Sequence, residues 1–230
     1  MKEMLINSVF FGVAISLIAY GIGVAVKNKF KIAIFNPLLI GIVLVMIVLI
    51  VLDIDYEIYN EGAKYISYLL TPATVCLAIP LYEKVELLKK NAKAVMLGIL
   101  SGVLTSLVSV LVLCVIFGMS HKEYVSLLPK SITTAIGMGV SDELGGYVTI
   151  TIAVIVITGI FGNMIAEFVC KTFKIEEPIV KGVGIGCASH AMGTTKAMDM
   201  GEIEGAMSSL SLAVAGLMTV VGASVFAGFL

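Results

Sequence analysis

Five stretches of this chain run for about the length of a bilayer crossing without an Asp, Glu, Lys, Arg or His: Met4–Val26, Ile32–Leu52, Ala94–Ser120, Gly145–Ala166 and Gly205–Leu230. Roughly 20 apolar residues cross the ~30 Å of bilayer hydrocarbon as a helix, and in lipid a helix satisfies its own backbone amides. The spacing therefore predicts an all-α integral membrane protein, a polytopic bundle of six to eight membrane elements. Composition agrees. The 230 residues are 59% hydrophobic and 13% charged, whereas soluble domains carry about 25% charged residues.

A formal net charge of −1 gives no reason to expect a nucleic-acid partner. Every basic residue is Lys, and Trp is absent, so interfacial anchoring falls to Tyr and Lys. Cys76, Cys114, Cys170 and Cys187 lie singly in apolar sequence, without CxxC or Cys/His spacing. They read as small hydrophobes, and neither a metal nor a cofactor is expected. The first apolar run ends in lysines rather than small residues, so no cleavable signal is expected.

A sixth stretch, Tyr65–Tyr82, is uncharged but short, and Pro72 and Pro80 predict that it is kinked or broken. Two more polar stretches, Tyr124–Gly146 and Gly182–Glu204, are rich in Gly, Ser and Thr and resemble neither a lipid-facing helix nor a soluble loop. The expected organisation is one membrane domain. It has two N-terminal spans over 1–62 and a core over 63–230, with broken or re-entrant segments at 65–82, 124–146 and 182–204.

Lysines set the orientation, because cytoplasmic loops collect them. Lys27, Lys29 and Lys31, then Lys84, Lys89, Lys90 and Lys93, then Lys171, Lys174 and Lys181 all fall inside under one condition. With the N-terminus outside, Tyr124–Gly146 must enter and leave on the outer side, with Gly182–Glu204 dipping in from the cytoplasm and the acidic loop Asp53–Glu61 outside. An internal similarity between Leu70–Pro80 and Leu127–Gly137 argues for the opposite, a full crossing by 124–146; the lysines weigh more.

Irregular backbone at membrane depth is tolerated where it lines a wet cavity, and carriers build central sites from interrupted helices. The candidate break residues are Pro72, Pro80, Pro129, Gly137 and Gly193. Lys130 follows Pro129 and precedes Ser131, Thr133 and Thr134, whose hydroxyls can donate to a carboxylate. A Lys at the bilayer centre costs about 2.5–3.5 kcal/mol on the insertion scale, so it either meets a partner in a cavity or snorkels to the interface. Ser189, His190, Thr194 and Lys196 form a second cluster, in which His190 either relays protons or is held by packing. Asp199, Glu202 and Glu204 read as a solvated turn or as a proton or cation site. His121 reads as solvated, Met192, Met198, Met200 and Met207 as packing, and Gly98–Gly102 and Gly159–Asn163 as close helix contacts. Ser189–His190 is no hydrolase elbow, and no enzyme activity is expected.

LLPKSITTAIGMGVSDELGG, followed by a span and then GIGCASHAMGTTKAMDMGEIEGAMSSLS, resembles the LrgB/CidB family of bacterial membrane proteins. LLTPATVCLAIPLY and NPLLI extend the likeness over essentially the whole chain. The resemblance implies either of two activities. One is a holin/antiholin-like modulation of murein hydrolase activity and autolysis with an LrgA/CidA-type partner. The other is carriage of a small monocarboxylate, since the family includes the plastid glycolate/glycerate translocator and relatives associated with pyruvate uptake. The matched positions are Lys130, Ser131, Thr133 and Thr134, then Ser189, His190, Gly193, Thr194 and Lys196. Ala135 stands where the family usually has proline, Gly137 where it often has alanine, and Lys196 where arginine is frequent, which gives up bidentate carboxylate geometry. The combined expectation is a proton- or ion-coupled carrier of pyruvate-, glycolate- or glycerate-like anions in the bacterial cell membrane, as a homodimer. A lysis modulator and a membrane scaffold are the competing readings.

Overall fold

The computed structural model describes residues 8, 10–30, 35–76 and 78–230. The start of the first apolar run and Lys31–Ile34, with the lysine at its head, lie outside the described residues. All regular structure among the described residues is helical. Four helices are long and apolar enough to cross a membrane, and large apolar side chains such as Leu97, Leu104, Ile116, Phe161 and Leu217 are exposed on them. Aliphatic surface of this kind belongs against lipid. The chain is a multi-pass membrane protein.

The chain divides into two compact units, Met1–Cys76 and Leu77–Leu230. In the first unit, α1 (Phe11–Phe30) and α2 (Pro37–Val51) form an antiparallel pair. Gly23 lies on the backbone of Pro37 and Gly41 on that of Tyr20. Asn36 caps α2 by accepting from the Leu38 amide at 2.9 Å, with Pro37 at the first position, where its missing N–H is no loss. The segment expected as an acidic loop, Asp53–Glu61, is largely helical and opens α3 (Tyr56–Ser67), which crosses α1 where Gly12 admits the backbone of Ala63. The last helix of this unit is α4 (Leu70–Cys76). Pro72 sits in the first turn of α4, and Pro80 lies in α5 (Ala78–Glu83), which opens the second unit. Residue 77, between the two helices, lies outside the described residues, and with it the expected break of 65–82.

The second unit continues with α6 (Val85–Ile116), α7 (His121–Leu127), α8 (Thr134–Glu143), α9 (Val148–Thr172), α10 (Pro178–Met200) and α11 (Glu202–Phe226), which ends in a 3₁₀ turn at Ala227–Phe229. Helix α10 is broken at Ser189 (φ −135°) and His190 (φ 42°, ψ −141°). Its two arms fold back on each other. The first arm runs parallel to α11, with Gly182 against Glu204 and Met207, and Gly186 against Ser208 and Ser211. The second runs antiparallel to the same stretch, with Thr194 bonded to Ser208 and Gly205 against Met198. Gly193 makes the fold-back possible, since a Cβ there would stand 2.9 Å from Cγ2 of Ile185 in the other arm.

The α7–α8 segment is a second hairpin of opposite direction. Lys122 lies over the Tyr147 ring at 4.4 Å, and the Ser126 carbonyl accepts from the Thr151 hydroxyl at 2.9 Å, so α7 runs parallel to the start of α9. Ser141 accepts from Thr151 at 2.7 Å and Gly137 packs on Ile155, so α8 runs back along the same helix. Segment 124–146 therefore folds back on itself along α9. The hairpin entrances lie at opposite ends. Lys84 pairs with Glu202, Lys181 with Glu204, and Lys171 and Lys196 with Glu167, which gathers the lysines flanking α6, α9 and α10 at one end. At the far end, the Tyr124 hydroxyl donates to the Phe226 carbonyl at 2.9 Å.

Candidate functional site

Half-helices set the depth of the tips. The ten residues of α8 and the ten to eleven of each α10 arm span about 15 Å at 1.5 Å per residue, half of the roughly 30 Å hydrocarbon. The two tips, 128–133 and 188–190, therefore stand about half a crossing from the ends of their hairpins. The breaks fall at these tips. Gly137 and Gly193, expected as break points, lie inside α8 and α10, where the absence of a Cβ serves close packing instead. Pro129 stands just past the Leu128 cap of α7 and cannot donate to continue it.

Between the tips and α6 lies a groove of about 540 Å³, lined by Lys130 and Ser131 from one tip and by Cys187 and Ala188 from the other. Helix α6 presents three faces. Val95, Ile99, Val103, Leu107 and Val110 are buried in the core, Leu97, Leu100, Leu104 and Val108 are exposed, and Ser101, Thr105, Ser106 and Ser109 line the groove. Gly98 and Gly102 bring the first arm of α10 close, against Val183 and Cys187. Opposite the hydroxyls stand Ile179, Val180 and Val183. The groove extends from Ala94 and Ile179 near the lysine end to Ser109 and Lys130. Beyond them, Cys114, Tyr124, Val125 and Leu128 close the far end in a continuous apolar core.

Lys130 is half-buried; its Nζ donates to Ser131 Oγ at 3.0 Å, and Ser131 Oγ lies 3.1 Å from Ser106 Oγ on α6. Its hydrogen bonding runs through this hydroxyl chain, and no ion pair among the described residues joins it to a carboxylate. A small anion entering the groove meets one ammonium, a hydroxylated wall and an apolar wall.

The other expected residues lie elsewhere. Thr133 caps α8 from an extended backbone, Thr134 begins that helix, and neither lines the groove. Ser189 packs against Gly162. His190 is buried with Nε2 3.0 Å from the Ile155 carbonyl, against Gly159, so its ring docks the hairpin on α9 rather than facing Lys130. Thr194 donates to the His190 carbonyl at 3.0 Å and lies 2.8 Å from Ser208 Oγ. Lys196 binds Glu167 at 2.8 Å in a charged vestibule of about 530 Å³ at the lysine end. The Ser/Thr stripe of α6 escaped sequence reasoning, although its spacing of three and four within an apolar run is the mark of a polar helix face.

Glu202 pairs with Lys84 and is exposed, while Glu204 is buried. The Glu202 carboxylate, hydrogen-bonded to Lys84, holds that ammonium above its ordinary range. Among the described residues no cluster of His, Cys, Asp and Glu is suited to hold a metal.

No solved structure matches this chain. It is similar to the antiholin-like protein LrgB of Bacillus mycoides (strain KBAB4), 37% identical over 96% of both chains. The antiholin-like LrgB proteins of Bacillus cereus (strain B4264) and Bacillus anthracis (strain CDC 684 / NRRL 3495) are each 36% identical over the same share. The profile described as the LrgB-like family matches residues 16–229. With this match over nearly its whole length, the chain belongs to the LrgB family.

Proposed function

We propose that this chain serves an antiholin-like role in the bacterial cell membrane, as the names of its relatives suggest, and that its own molecular activity is the binding and passage of a small monocarboxylate at Lys130. The cellular reading is supported by the similarity to antiholin-like proteins over 96% of the chain. On this reading the protein tunes autolysis together with an LrgA/CidA-type membrane partner.

The molecular reading is carried by one observation: two oppositely directed hairpins bring Lys130 and Ser131 to a shared groove with Cys187 and Ala188. Opposed hairpins with central tips suit alternating access, since either can move against the spans while the site stays between them. The groove volume falls within the roughly 300–1,000 Å³ typical of small-molecule sites. One cation suits one carboxylate. The substrate class is a two- or three-carbon acid such as pyruvate, glycolate or glycerate, and no catalytic chemistry is assigned.

Purified protein in liposomes tests both parts. Labelled carboxylate enters faster than into empty liposomes, Lys130→Ala abolishes the difference, and an entrapped dye is retained. Uptake no faster than background for all three acids overturns the carrier activity. Release of the dye favours a wide, unselective lesion instead.

A further inference from the structure

We propose that the α6 wall of the groove selects 2-hydroxy acids over 2-oxo acids, with Thr105 and Ser109 accepting a hydrogen bond from the substrate hydroxyl; this deepens the carrier reading above and rests on it. Three wall hydroxyls have already committed their protons. Ser101 Oγ donates to the Gly98 carbonyl at 2.8 Å, Thr105 Oγ1 to the Ser101 carbonyl at 2.7 Å, and Ser109 Oγ to the Ser106 carbonyl at 2.9 Å. A carbonyl can only accept, so the direction of each bond is fixed. Such bonds to the preceding turn satisfy the O–H of Ser and Thr inside a helix and leave the oxygen lone pairs facing outward. All three residues are exposed and line the groove. The wall therefore accepts hydrogen bonds, and each hydroxyl can donate only by giving up its bond to the helix.

The strong side-chain donors of the groove gather at the hairpin tip. Lys130 gives one N–H to Ser131 Oγ and keeps others for a carboxylate. Ser131 in turn meets Ser106, which Thr105 immediately precedes and from which Ser109 lies one turn on, so the donor cluster and the acceptor wall adjoin. Ile179, Val180 and Val183 on the opposite wall offer neither donor nor acceptor from their side chains.

A 2-hydroxy acid matches both halves, its carboxylate to Lys130 and its O–H to the lone pairs of Thr105 or Ser109. A 2-oxo acid binds Lys130 equally well but sets its carbonyl lone pairs against those of the wall, and an acceptor left facing acceptors is costly away from water. An amino acid also brings donors, but its ammonium would stand close to that of Lys130, and like charges repel.

The test compares lactate with pyruvate, which share a carbon skeleton and differ at C2 in hydroxyl against oxo. In liposomes holding the wild-type protein, half-saturation for labelled lactate lies roughly two- to tenfold below that for pyruvate, the range one hydrogen bond supplies. Thr105→Val with Ser109→Ala brings the ratio close to unity, and Thr105→Ser alone keeps it. A purely structural loss would shift both acids together and leave the ratio in place. Equal half-saturation in the wild type, a preference for pyruvate, or a lactate preference that survives in the double variant overturns the proposal and leaves the carrier reading standing. Uptake of neither acid overturns it too, and if glycolate and glycerate also fail to enter, the carrier reading falls with it. Should the double variant fail to fold, competition by propionate on the wild type decides, since propionate has neither oxygen at C2. Lactate should compete best, with propionate no weaker than pyruvate. Pyruvate competing better than propionate would mean that the oxygen is recognised without its proton, and overturns the proposal.

Discussion

At Lys130, a charge at the tip of a hairpin is held by hydroxyls that pass its hydrogen bonding to α6 through Ser131 and Ser106. Ser106 is therefore a positioning residue rather than a ligand of the anion by necessity. Ser106→Ala removes a bond worth about 0.5–1.5 kcal/mol, so the half-saturating carboxylate concentration rises roughly two- to tenfold while maximal uptake is kept. An unchanged half-saturation value contradicts this. Lys130 stood out in the sequence because a charge beside Pro129 in an apolar setting is costly. Ser106, one bond further on, did not, because the Ser/Thr stripe that holds it shows a polar face of α6 but not which segment that face meets. His190 was equally visible, but only the fold decides that a ring at a positive-φ corner turns toward Ile155 and Gly159.

The hairpins depend on glycines at contacts between elements. Gly162 lies directly against Ser189, and a larger side chain there overpacks a site that cannot recede. Gly162→Val should lower stability by about 1–3 kcal/mol, read as an earlier thermal transition in detergent; an unshifted transition contradicts the docking. The α7 end has its own signature. Ser120 and Glu123 form a reciprocal cap, and the Ser120 hydroxyl, then its amide, hold the Glu123 carboxyl below its ordinary range. A depressed folded value means the cap is fully present above the ordinary carboxylate range and is lost as pH falls through the lower folded value. Amide exchange at the start of α7 should quicken over that acid window, and Ser120→Ala, which keeps only the backbone bond, should move the transition toward the ordinary carboxylate range. The positions of the spans were legible from their uncharged runs. The fold-back of 124–146 agrees with the reading from the lysines, whereas the internal similarity argued for a crossing. Single cysteines at 121 and 146 should react with an impermeant thiol reagent on one side of the membrane, and those at 176 and 201 on the other. Opposite-side labelling of 121 and 146 would contradict re-entry.

Across the whole molecule, the membrane class followed from composition, whereas the site could not be assembled from sequence because it is built where three non-adjacent segments meet. Residues 94–109, 130–131 and 179–188 come together only after both hairpins fold back. That convergence is the central claim, and protection of a groove thiol tests it most directly. In a background where Cys76, Cys114, Cys170 and Cys187 are replaced, Thr105→Cys places one thiol on the exposed groove wall. A saturating monocarboxylate should slow its modification by a small soluble reagent, and Lys130→Ala should abolish the slowing. Equal modification rates with and without carboxylate, in protein that retains uptake, would contradict the placement of the anion in this groove.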